Sequence, residues 1–188
     1  YGDTMVLVAA TAAPGSGAGA DFFPLSVFYV EKAYAAGRIP GGFFKREARL
    51  SDSETLISRI IDRPLRPSFH ENYLAETLIV ATVLSHDLEF PSDVAAMIGA
   101  SAALSVSDIP LLQPIGGIRV GMIDGEFITN PNPEEITNSQ MNIFMAGSRD
   151  AILMVEGEAN EVSESVMLDA LWYGHEQIQP IIDMQEEL

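Results

Sequence analysis

Short apolar runs and amphipathic stretches alternate along this chain, and together they predict its elements. Thr4 to Thr11 (TMVLVAAT) is a continuous apolar run with β-branched residues and predicts a buried strand. Leu25 to Lys32 and Thr77 to Ser85 read the same way. Between them, Ser51 and Glu54 have the spacing of a capping box, and the helix they open runs through TLISRIIDR with Leu56, Ile57, Ile60 and Ile61 inward. Pro64 and Pro67 predict that it ends near Arg63. Ser92 is the expected cap of a second helix, DVAAMIGASAALSVS, whose small residues suit close packing on a sheet.

Pro110 and Pro114-Ile115-Gly116-Gly117 mark a joint, which divides the chain into a first lobe, residues 1–114, and a second, residues 115–188. Ile118 to Ile123 and Glu126 to Thr129, joined by Asp124-Gly125, predict a two-residue hairpin. Met141 to Ala146 and Ala151 to Glu156 predict another, and the carboxylates of Gly157 to Glu164 a solvated turn. Ser163 then opens a long amphipathic helix that should kink at Pro180. The order ββαβα, then ββ(β)βα, implies an α+β protein with helices packed on mixed sheets.

Composition narrows the class. With 188 residues and 47% apolar content the chain can bury a proper core. No apolar run reaches the ~18 residues of a membrane span. The absence of cysteine excludes disulfides and thiolate metal sites and fits a reducing compartment, so a cytoplasmic location is expected. The chain opens at Tyr1-Gly2-Asp3, without Met and already entering a strand, and is expected to be a fragment lacking its true N-terminus.

Charge is what singles out one segment. The formal net charge is −17, yet of ten Lys and Arg, eight lie between Lys32 and Arg66: Lys32, Arg38, Lys45, Arg46, Arg49, Arg59, Arg63 and Arg66. Phe43 and Phe44 stand directly before Lys45-Arg46, in a stretch bracketed by Gly37, Pro40, Gly41 and Gly42. Rings beside cations suit single-stranded nucleic acid, because bases stack on the rings while phosphates meet the cations. A buried core edge beside a solvated charged face is the competing reading of Phe43-Phe44. Arg59 and Arg63, four apart, share a helix face, with Arg66 a turn further; they form either a solvated row or one that contacts phosphate. An otherwise acidic body favours threading a polyanion past a local patch over wrapping it.

Other motifs fail on their own terms. Gly15-Ser16-Gly17-Ala18-Gly19-Ala20 matches a dinucleotide fingerprint, but the Pro24 and strand-like residues that follow leave no helix to receive a pyrophosphate, so a hairpin loop is expected. His175-Glu176 starts a zinc-protease pattern that has Gln179 where the second His must be. His70 and His86 have no partners at ligand spacing.

The basic segment resembles the first RNase PH-like core of the polynucleotide phosphorylase family. The matching runs are Tyr34 to Gly41, Phe43 to Glu47, Glu54 to Ile57 and Arg59 to Pro67, extended by Asp21 to Leu25, Met97 to Leu104 and Leu153 to Glu156. The resemblance implies an RNase PH-like fold (ribosomal protein S5 domain 2-like, with βαβ lobes) in a homotrimeric ring. The ring degrades single-stranded RNA from the 3′ end by phosphorolysis, with inorganic phosphate as co-substrate and Mg²⁺ as cofactor. RNA-degradation complex proteins are further implied partners. By position, Phe43, Phe44, Lys45, Arg46 and Arg49 would line the RNA channel, and Arg59, Arg63 and Arg66 would be further phosphate or RNA contacts. Active cores carry two Asp six residues apart, the second before Met-Asn. Here Glu134 and Gln140 occupy those places, ahead of Met141-Asn142. Neutral Gln is a poor Mg²⁺ ligand, so no catalytic residue and no metal ligand is expected in this chain, and Mg²⁺ is expected outside it.

Overall fold

In the structure, a computed structural model that describes residues 1–15, 21–41 and 49–188, the apolar runs form two sheets. The first contains β1 (Met5–Ala12), β2 (Leu25–Glu31) and β3 (Thr77–Ser85) in the order β1-β3-β2. β1 is antiparallel and β2 parallel to the central β3, so this sheet is mixed. The second holds β4 (Gly116–Ile123), β5 (Glu126–Thr129), β6 (Met141–Gly147) and β7 (Ile152–Ala159) in the order β5-β4-β6-β7, entirely antiparallel. Four α-helices pack on them: α1 (Asp52–Leu65), α2 (Ser92–Ser105), α3 (Pro133–Asn138) and α4 (Glu164–Glu186).

Period-two alternation distributes the core. Leu25, Val27 and Tyr29 of β2 and Ile79, Ala81 and Val83 of β3 face inward with Ile61 and Leu65 of α1 and Val94, Met97 and Leu104 of α2. On β6 the alternation serves two cores at once. Phe144 and Ala146 join that first cluster, whereas Met141, Ile143 and Met145 join Ala170, Ile178 and Ile182 of α4. Gly174 permits α4's close approach, since a Cβ there would lie 2.0 Å from Met145 Sδ.

Several expectations change on contact with the packing. β1 and β2 do not form the expected hairpin, because they flank β3 rather than each other, and residues 16–20 of the expected loop lie outside the described residues. β1 is an edge strand with one bare face, not a buried strand: Met5 and Leu7 are 60% and 59% exposed while Val6 and Val8 pack inward. α1 continues through Pro64, which is buried with Leu65, and helical geometry persists at Arg66. Its inner stripe is Glu54, Ser58, Ile61 and Leu65, while Leu56 points out. The capping box of Ser51 and Glu54 is formed. Ser92 does not cap α2; Pro91 precedes the helix and the Ser92 hydroxyl bonds Tyr29 instead. β7 runs on through Ala159, so the predicted turn begins as strand. α3 was missed. Its signal is Asn132-Pro133 followed by Glu135, where Asn132 accepts from Glu134 and Glu135 N–H and Glu135 closes the box.

Candidate functional site

α1 sits along the free edge of β2, and its side chains meet that edge at regular intervals. Glu54 Oε1 accepts the Glu31 N–H at 2.7 Å, and Ser58 Oγ accepts the Tyr29 N–H at 2.9 Å. One turn past Asp62, Arg66 donates from Nη2 to Leu25 O at 3.1 Å and from Nη1 to Phe23 O at 2.8 Å. Asp62 holds the same guanidinium, accepting from Nη2 at 2.7 Å. A helical stripe at four-residue spacing thus satisfies strand groups at two-residue spacing and covers the edge against further pairing. Glu54 also accepts the Ser51 N–H at 2.6 Å. Burial works against its ionisation, but the N–H groups of Ser51 and Glu31 outweigh it and hold the carboxyl below its ordinary range.

The same helix carries the arginines of the basic segment, and the fold separates them. Arg66 spends its donors on Asp62 and the β2 approach, with its guanidinium over the Phe23 ring at 5.8 Å. Arg63 Nη1 pairs with Glu156 of β7 at 2.6 Å, tying α1 to the second sheet. Arg59 is exposed beside a shallow depression lined by Phe28, Leu50 and Thr55, and Arg49 is exposed at the segment's end. Phe43, Phe44, Lys45 and Arg46 lie outside the described residues.

A cleft of about 260 Å³ opens between the sheets, lined by residues 86 and 88–93 on one side and by Arg119, Ile136 and Asn142 on the other. Arg119 fills its base. Its Nε and Nη2 donate to Asp93 Oδ2, Nε at 3.0 Å, and Nη1 donates to Asn142 Oδ1 at 2.8 Å. Asp93 is buried at the first turn of α2, where a carboxylate complements the helix dipole. Sequence reading missed this pair, which joins residues 26 apart that no local motif links. Nearby, the Tyr29 hydroxyl donates to Glu31 at 2.9 Å and meets Ser92 Oγ at 2.8 Å, and burial pushes it far above its ordinary value. Asp87 is held well below the ordinary carboxylate range by the N–H of Phe90, with the N–H groups of Glu89 and Asp3 and the Thr4 hydroxyl adding to it.

Glu134 and Gln140 are both exposed, at the start of α3 and just before β6. Among the described residues no three His, Asp or Glu side chains converge as metal ligands. His175 Nε2 lies 3.0 Å from Ser148 O and His86 Nδ1 3.1 Å from Thr4 Oγ1, so both are satisfied within the fold. His70 is exposed and its Nδ1 accepts the Asn72 N–H. Among the described residues no helix is long and apolar enough to cross a membrane.

Comparison with known proteins gives a consistent result. Residues 1–110 match the model of the 3′ exoribonuclease family, domain 1, and residues 113–177 match that of domain 2. A protein of Geotalea uraniireducens named polyribonucleotide nucleotidyltransferase is 58% identical over 187 residues, covering 100% of this chain and 27% of that relative. Namesakes from Geobacter sulfurreducens and Rhodospirillum centenum are 57% and 54% identical over 100% and 98% of the chain, which covers 27% and 26% of them. The chain thus spans about a quarter of the length of the curated relatives it matches. The crystal structure of rice (Oryza sativa) Rrp46 superposes with a TM-score of 0.76 at 19% identity, covering 98% of this chain and 83% of that one, a likeness of fold.

Proposed function

The chain belongs to the 3′ exoribonuclease family, and from that premise we propose that it is the first, non-catalytic RNase PH-like core of a polyribonucleotide nucleotidyltransferase. In this reading the whole enzyme degrades RNA 3′ to 5′ by phosphorolysis, and this core guides single-stranded RNA through a homotrimeric ring. Inorganic phosphate is the co-substrate, and Mg²⁺ is held outside this chain. RNA-degradation complex proteins are further partners, and the location is cytoplasmic. The division into lobes 1–114 and 115–188 is supported by the two sheets on either side of that joint.

The observation that carries the non-catalytic reading is Gln140. Phosphoryl transfer rests on positioned charge, and Gln140 brings none to the position before Met141-Asn142. The guiding role rests on the sequence of Phe43, Phe44, Lys45, Arg46 and Arg49, and Arg49 and Arg59 are exposed. A structural, ring-building role without RNA contact is the second reading. It is favoured by Arg63 and Arg66, which pair at the surface with this chain's own Glu156 and Asp62.

Replacing Phe43 and Phe44 by Ala in the assembled enzyme should weaken single-strand binding by about 1–3 kcal/mol per stacked base. Affinity should also fall steeply with salt. Unchanged affinity and a flat salt response would favour the ring-building reading. Phosphate-dependent release of nucleoside diphosphates by this chain alone would overturn the non-catalytic assignment.

A further inference from the structure

One arginine of α1 has no partner among the described residues, and the reason is local. Asp62, three residues beyond Arg59, is taken by Arg66, and Glu54 spends its oxygens on the Ser51 and Glu31 N–H groups. Arg63 is paired with Glu156. The exposed Arg59 guanidinium is left without a hydrogen bond or ion pair, in a chain where Asp and Glu outnumber Lys and Arg by 27 to 10.

Phe28 meets Arg59 at a depression of about 230 Å³, whose other walls include Leu25, Val27 and Leu50. Alternation along β2 sends Leu25, Val27 and Tyr29 into the core and Phe28 outward, 44% exposed, so core packing gives no reason for a ring there. The space falls short of the ~300–1,000 Å³ of a pocket for a whole small molecule and suits one flat ring of a longer ligand. Leu50 directly follows Arg49, so the depression adjoins the end of the segment proposed to guide RNA. Exposure alone is no criterion. Trp172 is 65% exposed, but on α4 the exposed Asp169 and Glu176 lie one turn to either side and repel phosphate.

We propose that Phe28 is a stacking platform for one base of single-stranded RNA, with the adjoining phosphate on Arg59. This contact rests on the RNA-guiding reading above and adds a ring on β2, outside the basic segment. A base covers the exposed ring, the phosphate meets the unpaired guanidinium, and neither contact depends on which base is present.

The test uses the assembled enzyme and a fluorescent oligoadenylate in phosphate-free buffer, with sedimentation and thermal unfolding run on each variant. Phe28→Leu should weaken binding roughly tenfold, as loss of one stacked base does, and Phe28→Tyr should bind as the parent does. Removing bases from the RNA one at a time should reveal a position whose loss costs the parent the same tenfold and Phe28→Leu nothing further. In the unaltered enzyme, 5-iodouridine moved along the strand should photo-cross-link at one position to the peptide that carries Phe28. Unchanged binding by Phe28→Leu, an equal loss at every abasic position, or no such cross-link overturns the proposal. So does a Phe28→Leu enzyme that dissociates in sedimentation, because the ring then belongs to a protein interface. Phe43→Ala with Phe44→Ala separates the two readings. If that pair weakens binding and Phe28→Leu does not, the platform alone fails; if neither does, RNA guidance fails with it.

Discussion

Arg119, partly exposed, and the buried Asp93 form an ion pair that joins the start of α2 to β4, an inner strand of the second sheet. Asn142 takes one remaining guanidinium donor and the Phe144 ring lies under the cation at 5.6 Å, so the charge is fully accommodated. Arg119→Met should destabilise the chain by about 3–5 kcal/mol, because it strands a carboxylate away from water. Adding Asp93→Asn should restore part of that loss. Urea midpoints of both singles and the double check it, and additivity would mean that the pair does not act as a unit.

Arg59 and Arg66 share one helix and should respond in opposite ways. Arg66→Ala removes the donors of Phe23 O and Leu25 O and should cost about 1–3 kcal/mol of stability. Arg59→Ala should leave stability within about 0.5 kcal/mol. In the assembled enzyme it should lower the salt slope of RNA binding by roughly one. Thermal unfolding and binding at several salt concentrations separate the two.

Ser58 is buried between Glu54 and Ile61, accepts the Tyr29 N–H and donates to Glu54 O at 2.7 Å. Ser58→Ala leaves that strand N–H without an acceptor, and a loss of about 1–3 kcal/mol is expected. Hydrogen exchange at Tyr29 should accelerate more than at Ile79 on the central strand.

Glu54 and Asp87 should make the folded chain lose stability in acid. Both are held below their ordinary range in the folded chain, so the folded state binds fewer protons than the unfolded one. Their contribution is complete about a unit above the unfolded values near pH 4, and is lost progressively as pH falls from about 5 through the lower folded values. Glu54→Gln and Asp87→Asn should each flatten the fall in urea midpoint between about pH 5 and pH 3.

Gly157 pairs with Ile143 on neighbouring strands, and a Cβ there would lie 2.3 Å from Asn142 O and 2.7 Å from Ile143 Cα. Backbone atoms cannot swing aside as a side chain can. Gly157→Ala should therefore cost about 1–3 kcal/mol or more, with amide protection lost first along β7.

Local signals in the sequence identified most elements. The Ser51–Glu54 box, the Asp124-Gly125 turn and the apolar runs of β2 and β3 each formed as the residues alone imply. What escaped was tertiary. Leu56 looked core-facing by type, but Glu54 and Ser58 occupy the inner face because β2 offers them N–H groups. The basic cluster was visible as composition, yet which arginines are held by acidic partners depends on Glu156 and Asp62, placed by the fold. Asp93 and Arg119 gave no signal, since neither has a local partner to mark it.

The contact between α1 and β2 behaves as a ruler with two incommensurate scales. Four helical residues climb about 6 Å, and two strand residues advance about 6.6 Å. From position 54 to 66 the helix rises about 18 Å, while the matching strand span from 31 to 25 covers about 20 Å. The shortest side chain, Ser58, stands inside the series, and the long ones, Glu54 and Arg66, take up the divergence at its ends. Point changes remove single rungs of this ladder. Insertion or deletion of one residue between 54 and 66 rotates the stripe by about 100° and dislodges every rung beyond it, so this segment should tolerate substitution far better than any change in length.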